Sequence, residues 1–226
     1  MDCVRGPAPV NSPFRESQRI EAARPASRLA ASLISGERRG ERRVMVTKHL
    51  HVLGIDPGGE TGWCWLTVAR AAIFGPEWPE VSSWDYGTFT GPEPGQAIAI
   101  ARKAREIQGL DYRTGPAIVS ERWDIDPSFK STDPETLSPV RINAQLEFLH
   151  YEKRMGDATL SFQGRTNTFH TYTDERLKRL ELYVPGPDHI RSATKHALMT
   201  LRRAREKREL ALKLWPYPPN GMDTPE

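Results

Sequence analysis

Leu50-His51-Val52-Leu53-Gly54-Ile55-Asp56-Pro57-Gly58-Gly59 is the stretch whose reading decides the fold. The apolar run climbs to Ile55 and stops at a carboxylate followed by Pro-Gly-Gly, which is strand chemistry passing into a turn. Beyond the turn, Gly62-Trp63-Cys64-Trp65-Leu66-Thr67-Val68 reads as the returning arm of a hairpin, and residues 81–90 alternate as a third strand. Helical spacing follows: Ala97, Ile100, Ala101, Ala104 and Ile107 recur between Pro94 and Gly109. The short run Ala117-Ile118-Val119, introduced by Gly115-Pro116, has the continuous apolar character of a strand covered on both faces.

Further along, Pro139 is expected to open a second helix carrying Ile142, Leu146 and Leu149. Residues 159–162 read as a fifth strand and 174–182 as a short helix. Ile190, Ala193, Ala197, Leu201 and Ala204 stripe one long C-terminal helix. Three meandering strands followed by alternating helix and strand predict an α/β fold, a five-stranded mixed sheet of order 3-2-1-4-5 with helices on both faces. Right-handed crossover sets the fourth strand beside the first and parallel to it. Asp56 and Glu121 then end neighbouring strands at the edge where open α/β sheets hold ligands.

Charge is unevenly spread over the 226 residues. Residues 1–44 hold nine Arg and five acidic residues, a net of +4. The remainder therefore has 32 − 9 = 23 basic against 29 − 5 = 24 acidic residues, a net of −1. Global basicity is no argument that the folded part binds nucleic acid; only local patches count. Residues 1–44 read as a disordered Arg/Pro-rich leader, or as sequence upstream of a true start at Met45. Their composition resembles a transit peptide, but the acids oppose that. The expected organisation is this leader, a domain over 45–213 and a Pro-rich tail over 214–226. No apolar run reaches membrane-spanning length. Cys3 and Cys64 lack disulfide or metal-site spacing, and a cytoplasmic location is expected, that of a bacterial host if the chain is phage-encoded.

Taken alone, Asp56-Pro57-Gly58 is a common turn in which Asp56 bonds its own backbone. Glu121 changes that reading, because a carboxylate directly after a buried strand is costly unless paired, solvated or metal-bound. The third element is Asp188-His189-Ile190-Arg191-Ser192-Ala193, where Asp188 is expected to be the helix N-cap. His189, Ser192 and His196 share one helix face, and a helix-start imidazole beside two carboxylates suits Mg²⁺ or Mn²⁺.

These motifs in this order resemble the RuvC-type Holliday junction resolvases of the RNase H-like superfamily. Gly54-Ile55-Asp56-Pro57-Gly58 with Thr61-Gly62 looks like their first-strand motif, and Ser120-Glu121 is similar to their second acidic motif. The stretch Leu137-Ser138-Pro139-Val140-Arg141 and residues 173–203 also look like resolvases of phages that infect actinobacteria. The resemblance implies a crossover-junction endodeoxyribonuclease that cuts branched DNA as a homodimer, with two metal ions about 4 Å apart activating water and stabilising the leaving oxygen. It implies Asp56, Glu121 and His189 as catalytic metal ligands, with Asp188 and Ser192 beside them. Arg165, Arg176, Lys178, Arg179, Arg202 and Arg203 are the candidate DNA contacts, although Glu206 and Glu209 near the last of these equally suit a solvated helix face.

One position departs from the pattern. The family places Asp where this chain has Ser192, so either Asp188 or His196 compensates, or one metal binds weakly, or the protein binds DNA without cutting it. Asp56-Pro57-Gly58 with Thr61 also resembles the first phosphate loop of actin-like ATPases. That class needs a second glycine-rich loop and a second such domain, for which the chain after Met45 has no room.

Overall fold

The structure, a computed structural model, describes residues 49–74, 80–110, 115–123 and 134–216. The expected leader and most of the expected tail lie outside the described residues. Strands β1 (His49–Asp56) and β2 (Thr61–Ala69) form the antiparallel hairpin, with Asp56 opposite Gly62. A short helix, α1 (Arg70–Phe74), follows, and β3 (Val81–Phe89) pairs antiparallel with β2. Helix α2 (Glu93–Leu110) leads to β4 (Ala117–Glu121), which lies parallel to β1. Helix α3 (Pro134–Tyr151) leads to β5 (Thr159–Gln163), parallel to β4. The chain closes with α4 (Arg165–Thr171), α5 (Asp174–Arg179), α6 (Asp188–Glu206) and α7 (Arg208–Leu214).

The sheet order is β3-β2-β1-β4-β5, the RNase H-like arrangement that the sequence pattern predicts. Strand periodicity sorts the core into two layers. Leu53, Ile55 and Ile118 pack against Ala97, Ile100, Ala104 of α2 and Ile142, Leu146 of α3. Leu50, Val52 and Val119 face the other way, against Ala193, Ala197 and Leu201 of α6. Each fully buried Leu or Ile in these layers contributes roughly 1.5–3 kcal/mol. The same alternation carries Asp56, two residues on from Gly54, and Glu121, two on from Val119, to the α6 face.

Helix α6 lies unusually close to the sheet, and two glycines permit it. A Cβ on Gly54 would collide with the Ala193 carbonyl, and one on Gly62 with the His189 backbone. Both obstacles are main chain, so no side chain can rotate out of the way. The first turn of α6 therefore lies directly over the ends of β1 and β2.

Several elements differ from expectation. Helix α3 begins at Pro134, with Pro139 inside it. Proline inside a helix lacks the N–H for one backbone bond, and near the start of an 18-residue helix the remaining turns outweigh that loss. Helices α1 and α4, of five and seven residues, are too short to show a periodic stripe. The long last helix stops at Glu206, where Lys207 adopts an extended conformation, and α7 follows. The expected tail boundary at 214 is also corrected: Leu214 and Trp215 are buried, and the Trp215 indole N–H donates to the His51 carbonyl at 3.3 Å. Those two apolar residues belong to the core layer beneath α6.

Gly54→Ala and Gly62→Ala are each expected to cost at least about 3 kcal/mol, the upper part of the usual range for overpacking. Gly59→Ala is the control, since a Cβ there meets nothing within 4 Å. Urea unfolding of the three variants checks this, and a Gly62→Ala curve overlying that of Gly59→Ala would refute the close-approach argument.

Candidate active site

Asp56 and Glu121 end the neighbouring parallel strands β1 and β4, and both are almost fully buried. They directly follow the paired residues Ile55 and Ser120, so the two carboxyls are neighbours and each acts on the other's ionisation. They line a cleft of about 440 Å³ together with His189, Ser192, Arg165 and Trp123.

The turn after Asp56 is pinned from two helices. Gln96 of α2 donates its amide to the Gly59 carbonyl at 2.9 Å, and the Ser138 hydroxyl of α3 donates to the Gly58 carbonyl at 3.1 Å. The end of β4 is fixed by Asn143, whose amide donates to the Glu121 carbonyl at 2.8 Å while its oxygen accepts from the Ser120 hydroxyl at 2.7 Å. Buried main chain at a sheet end needs such partners.

Each carboxylate has its own imidazole. His189 Nδ1 sits 2.9 Å from Asp56 Oδ2 in the first turn of α6. Seven residues on, His196 Nε2 sits 3.2 Å from Glu121 Oε2, and this ring is completely buried. Ser192 lies between them, buried at the wall of the cleft. Arg165, at the start of α4, brings its Nε to 3.9 Å from Glu121 Oε1 and stacks over Phe169.

Burial drives the Asp56 carboxyl above the ordinary carboxylate range; His189 opposes the rise, and neighbouring Glu121 adds to it. Burial also works against ionised Glu121, but His196, Asp56 and Arg165 outweigh it and hold that group below its ordinary value. The hydrogen bond to Asp56 makes His189 more basic than a free imidazole, against the effect of its partial burial. Burial, with neighbouring Glu121 adding to it, thus pushes Asp56 toward its protonated form, while the partners of Glu121 favour its anion.

That chemistry is a test of fit for a divalent metal. A cation would offset the burial and like charge that disfavour two anions here, and oxygen donors with an adjacent imidazole suit Mg²⁺ or Mn²⁺. Among the described residues, no three His, Cys, Asp or Glu side chains form a ready-made metal cage. The fit therefore rests on the carboxylate pair.

The other expected site residues divide. Asp188 borders the cleft but is the first residue of α6, not its N-cap; that position is Pro187. Its carboxylate is exposed and ion-paired to Arg191, which draws it away from the helix N–H groups. Among the proposed DNA contacts, Arg165 is in the cleft. Arg176 and Arg202 instead line a separate cavity of about 440 Å³ with Trp84, Tyr172 and Leu198. Arg176 stacks over Tyr172, Lys178 sits over Tyr183, and Arg202 pairs with Glu206 at 2.8 Å. Arg179 is exposed on α5 and Arg203 half-buried on α6. The sequence reading placed His196 on the right helix face and offered it as one substitute for the missing Asp at 192, but not as the partner of Glu121, and it did not foresee Asn143 or Gln96. The available signal was a polar residue amid an apolar helical pattern.

Comparison with known proteins gives structural likeness alone. No family model and no curated protein matches the chain. Among solved structures, RuvC from T. thermophilus in complex with a Holliday junction substrate has a TM-score of 0.48 and 16% identity, covering 70% of this chain and 96% of that one. A second T. thermophilus RuvC structure gives 0.47 and 17%, with the same coverage. The yeast mitochondrial Holliday junction resolvase Ydc2 gives 0.44 and 13%, covering 71% of this chain and 80% of that one. The sheet order and strand directions are those of the RNase H-like fold.

The first turns of α6 are clamped to α5 by Asp174, which accepts from Lys195 Nζ at 2.6 Å and from Arg191 Nε at 3.2 Å. Chiefly through the Lys195 hydrogen bond, the Asp174 carboxyl is held below its ordinary value. A depressed carboxylate pKa stabilises the fold above the unfolded-state value and loses that effect as pH falls through the folded-state value. Asp174→Asn should therefore cost about 1 kcal/mol at neutral pH, discounted for the partly exposed carboxylate. The deficit should close as the pH is lowered through the acid range. Thermal melts of both proteins across that range test this, and a pH-independent deficit would count against it.

Proposed function

We propose that this domain is a metal-dependent endonuclease that cuts branched DNA in the manner of a Holliday junction resolvase. The observation that carries the reading is the pair of buried carboxylates, Asp56 and Glu121, set side by side on parallel strand ends in an open cleft. Burial and mutual repulsion disfavour ionising both members of that pair, which is expected of a site arranged to receive a cation. Asp56 and Glu121 would hold the metal, with His189 beside Asp56. Bound there, Mg²⁺ or Mn²⁺ would supply Lewis-acid stabilisation of the negative charge that develops on phosphate oxygens.

The remaining chemistry belongs to the chain. Arg165 stands at the open side of Glu121, where its guanidinium can hold a phosphate of the DNA backbone. His189 orients the Asp56 carboxylate through its Nδ1. Trp123, partly exposed at the cleft wall, bounds the same space from the α3 side. Paired cuts across a junction need two such sites, so the acting form is proposed to be a homodimer, and its place of action the cytoplasm. Among the described residues, no helix is long and apolar enough to cross a membrane.

A second reading has its own observation. Ser192 lines the cleft where the resolvase pattern has a carboxylate, so the domain could bind branched DNA while cutting it weakly or not at all. Incubating the protein with four-way junction, fork and linear duplex DNA in Mg²⁺, in Mn²⁺ and in EDTA separates the two. Cutting confined to branched DNA and abolished by EDTA is expected. Metal-independent binding without any cutting would favour the second reading.

Asp56→Asn and Glu121→Gln should each abolish cleavage and leave the circular dichroism spectrum unchanged, since both keep the shape and remove the charge. Cutting by either variant would overturn the assignment. Ser192→Asp should lower the half-saturating metal concentration about tenfold, the factor given by about 1.4 kcal/mol of added ligand attraction. It should raise the cutting rate in the same preparation. An unchanged rate and metal dependence would place Ser192 outside the metal site.

A further inference from the structure

His196 has no role in the reading above, yet its ring is the more deeply buried of the two imidazoles on α6. It touches Glu121 from the interior, with Nε2 at 3.2 Å from Oε2. Glu121 Oε1 is turned the other way, toward Arg165 and the cleft. The other ring nitrogen, Nδ1, is buried and has no hydrogen-bond partner among the described residues. A neutral imidazole carries its proton on one nitrogen only. With an acceptor at Nε2 and none at Nδ1, the proton belongs on Nε2, donated to Glu121.

We infer that His196 is a positioning residue for Glu121: its Nε2–H binds Oε2 from behind and commits Oε1, beside Arg165, to the cleft as the ligand atom. The inference rests on the reading of Asp56 and Glu121 as a metal-holding pair. A residue serving packing alone would be apolar here, since a buried ring nitrogen without a partner disfavours burial; Phe169 packs against the ring with centroids 6.0 Å apart. The ring's own backbone carbonyl accepts from Thr200 at 3.0 Å, and Thr200 also reaches Gln163, so the helix turn that carries the ring is itself tied to β5. Such a fixed donor behind a ligand sets its orientation and the basicity of its free oxygen.

The test is calorimetric titration of MnCl₂ into the full-length wild type, Glu121→Gln, His196→Leu and His196→Gln, with metal-free melting curves for each. Glutamine reaches Glu121 with an amide donor in place of Nε2; leucine fills the space without one. His196→Leu should weaken Mn²⁺ binding by about tenfold or more, as loss of a ligand's supporting partner commonly does, while His196→Gln should stay within about threefold of wild type. Long-range ¹H–¹⁵N spectra of the wild type should show His196 as the Nε2–H tautomer. Leucine binding Mn²⁺ like wild type, glutamine binding as weakly as leucine, or an Nδ1–H tautomer would each overturn the inference alone. If leucine fails to fold, the glutamine titration and the tautomer decide. A wild type that binds no Mn²⁺, or Glu121→Gln binding as tightly as wild type, would remove the metal reading and the inference with it.

Discussion

The structure depends on the contact between the backbone of α6 and the backbones of β1 and β2. Gly54 and Gly62 leave no side chain between helix and sheet, so Ala193 and the His189 main chain lie on the strands themselves. Ala197 covers the same strip one turn further on. Close packing of this kind is non-directional in its attraction and unforgiving in its sterics. It fixes the height of the helix above the sheet, and that height brings an imidazole within 2.9 Å of Asp56. Asp174 adds a directional component by gripping Arg191 and Lys195.

The site built on that contact is electrostatically unsettled at its centre and well supported at its edge. Two carboxyls share a buried wall, where burial pushes Asp56 toward its protonated form and its partners hold Glu121 toward the anion. Around them, the turn and strand-end carbonyls of Gly58, Gly59 and Glu121 are all satisfied, by Ser138, Gln96 and Asn143. A rigid frame around a strained pair is what preorganisation means in a site that must hold charge without rearranging.

Much of this was legible in the sequence because it follows from short-period patterning. The apolar runs in β1 and β4, joined by a right-handed crossover, put Asp56 and Glu121 on neighbouring strand ends, and the α6 stripe put His189 and Ser192 on the helix that covers them. The legible part ends where contacts are long-range or elements are short. Helices α1 and α4 are too short for a stripe to declare itself, and Lys207 breaks the last helix without a Gly or Pro to mark the break. Asp188 looked like an N-cap, but the pull of Arg191 on the same helix face decided its direction. Leu214 and Trp215 looked like the start of a tail because a proline-rich stretch follows, whereas their partners lie more than 50 residues away, as the Thr159 hydroxyl bound to the Leu214 carbonyl shows. His196 could be put on a face but not against Glu121, since that pairing joins residues 75 positions apart.

The two histidines of α6 stand seven residues apart on one rod, each matched to a different strand. Each residue of an α-helix turns the chain by roughly 100° and advances it by about 1.5 Å. A slip of α6 by a single position would swing both rings off the sheet together. The two halves of the site are thus assembled or lost as a unit. A folding intermediate with α6 docked out of register would leave both carboxylates without their imidazoles at once.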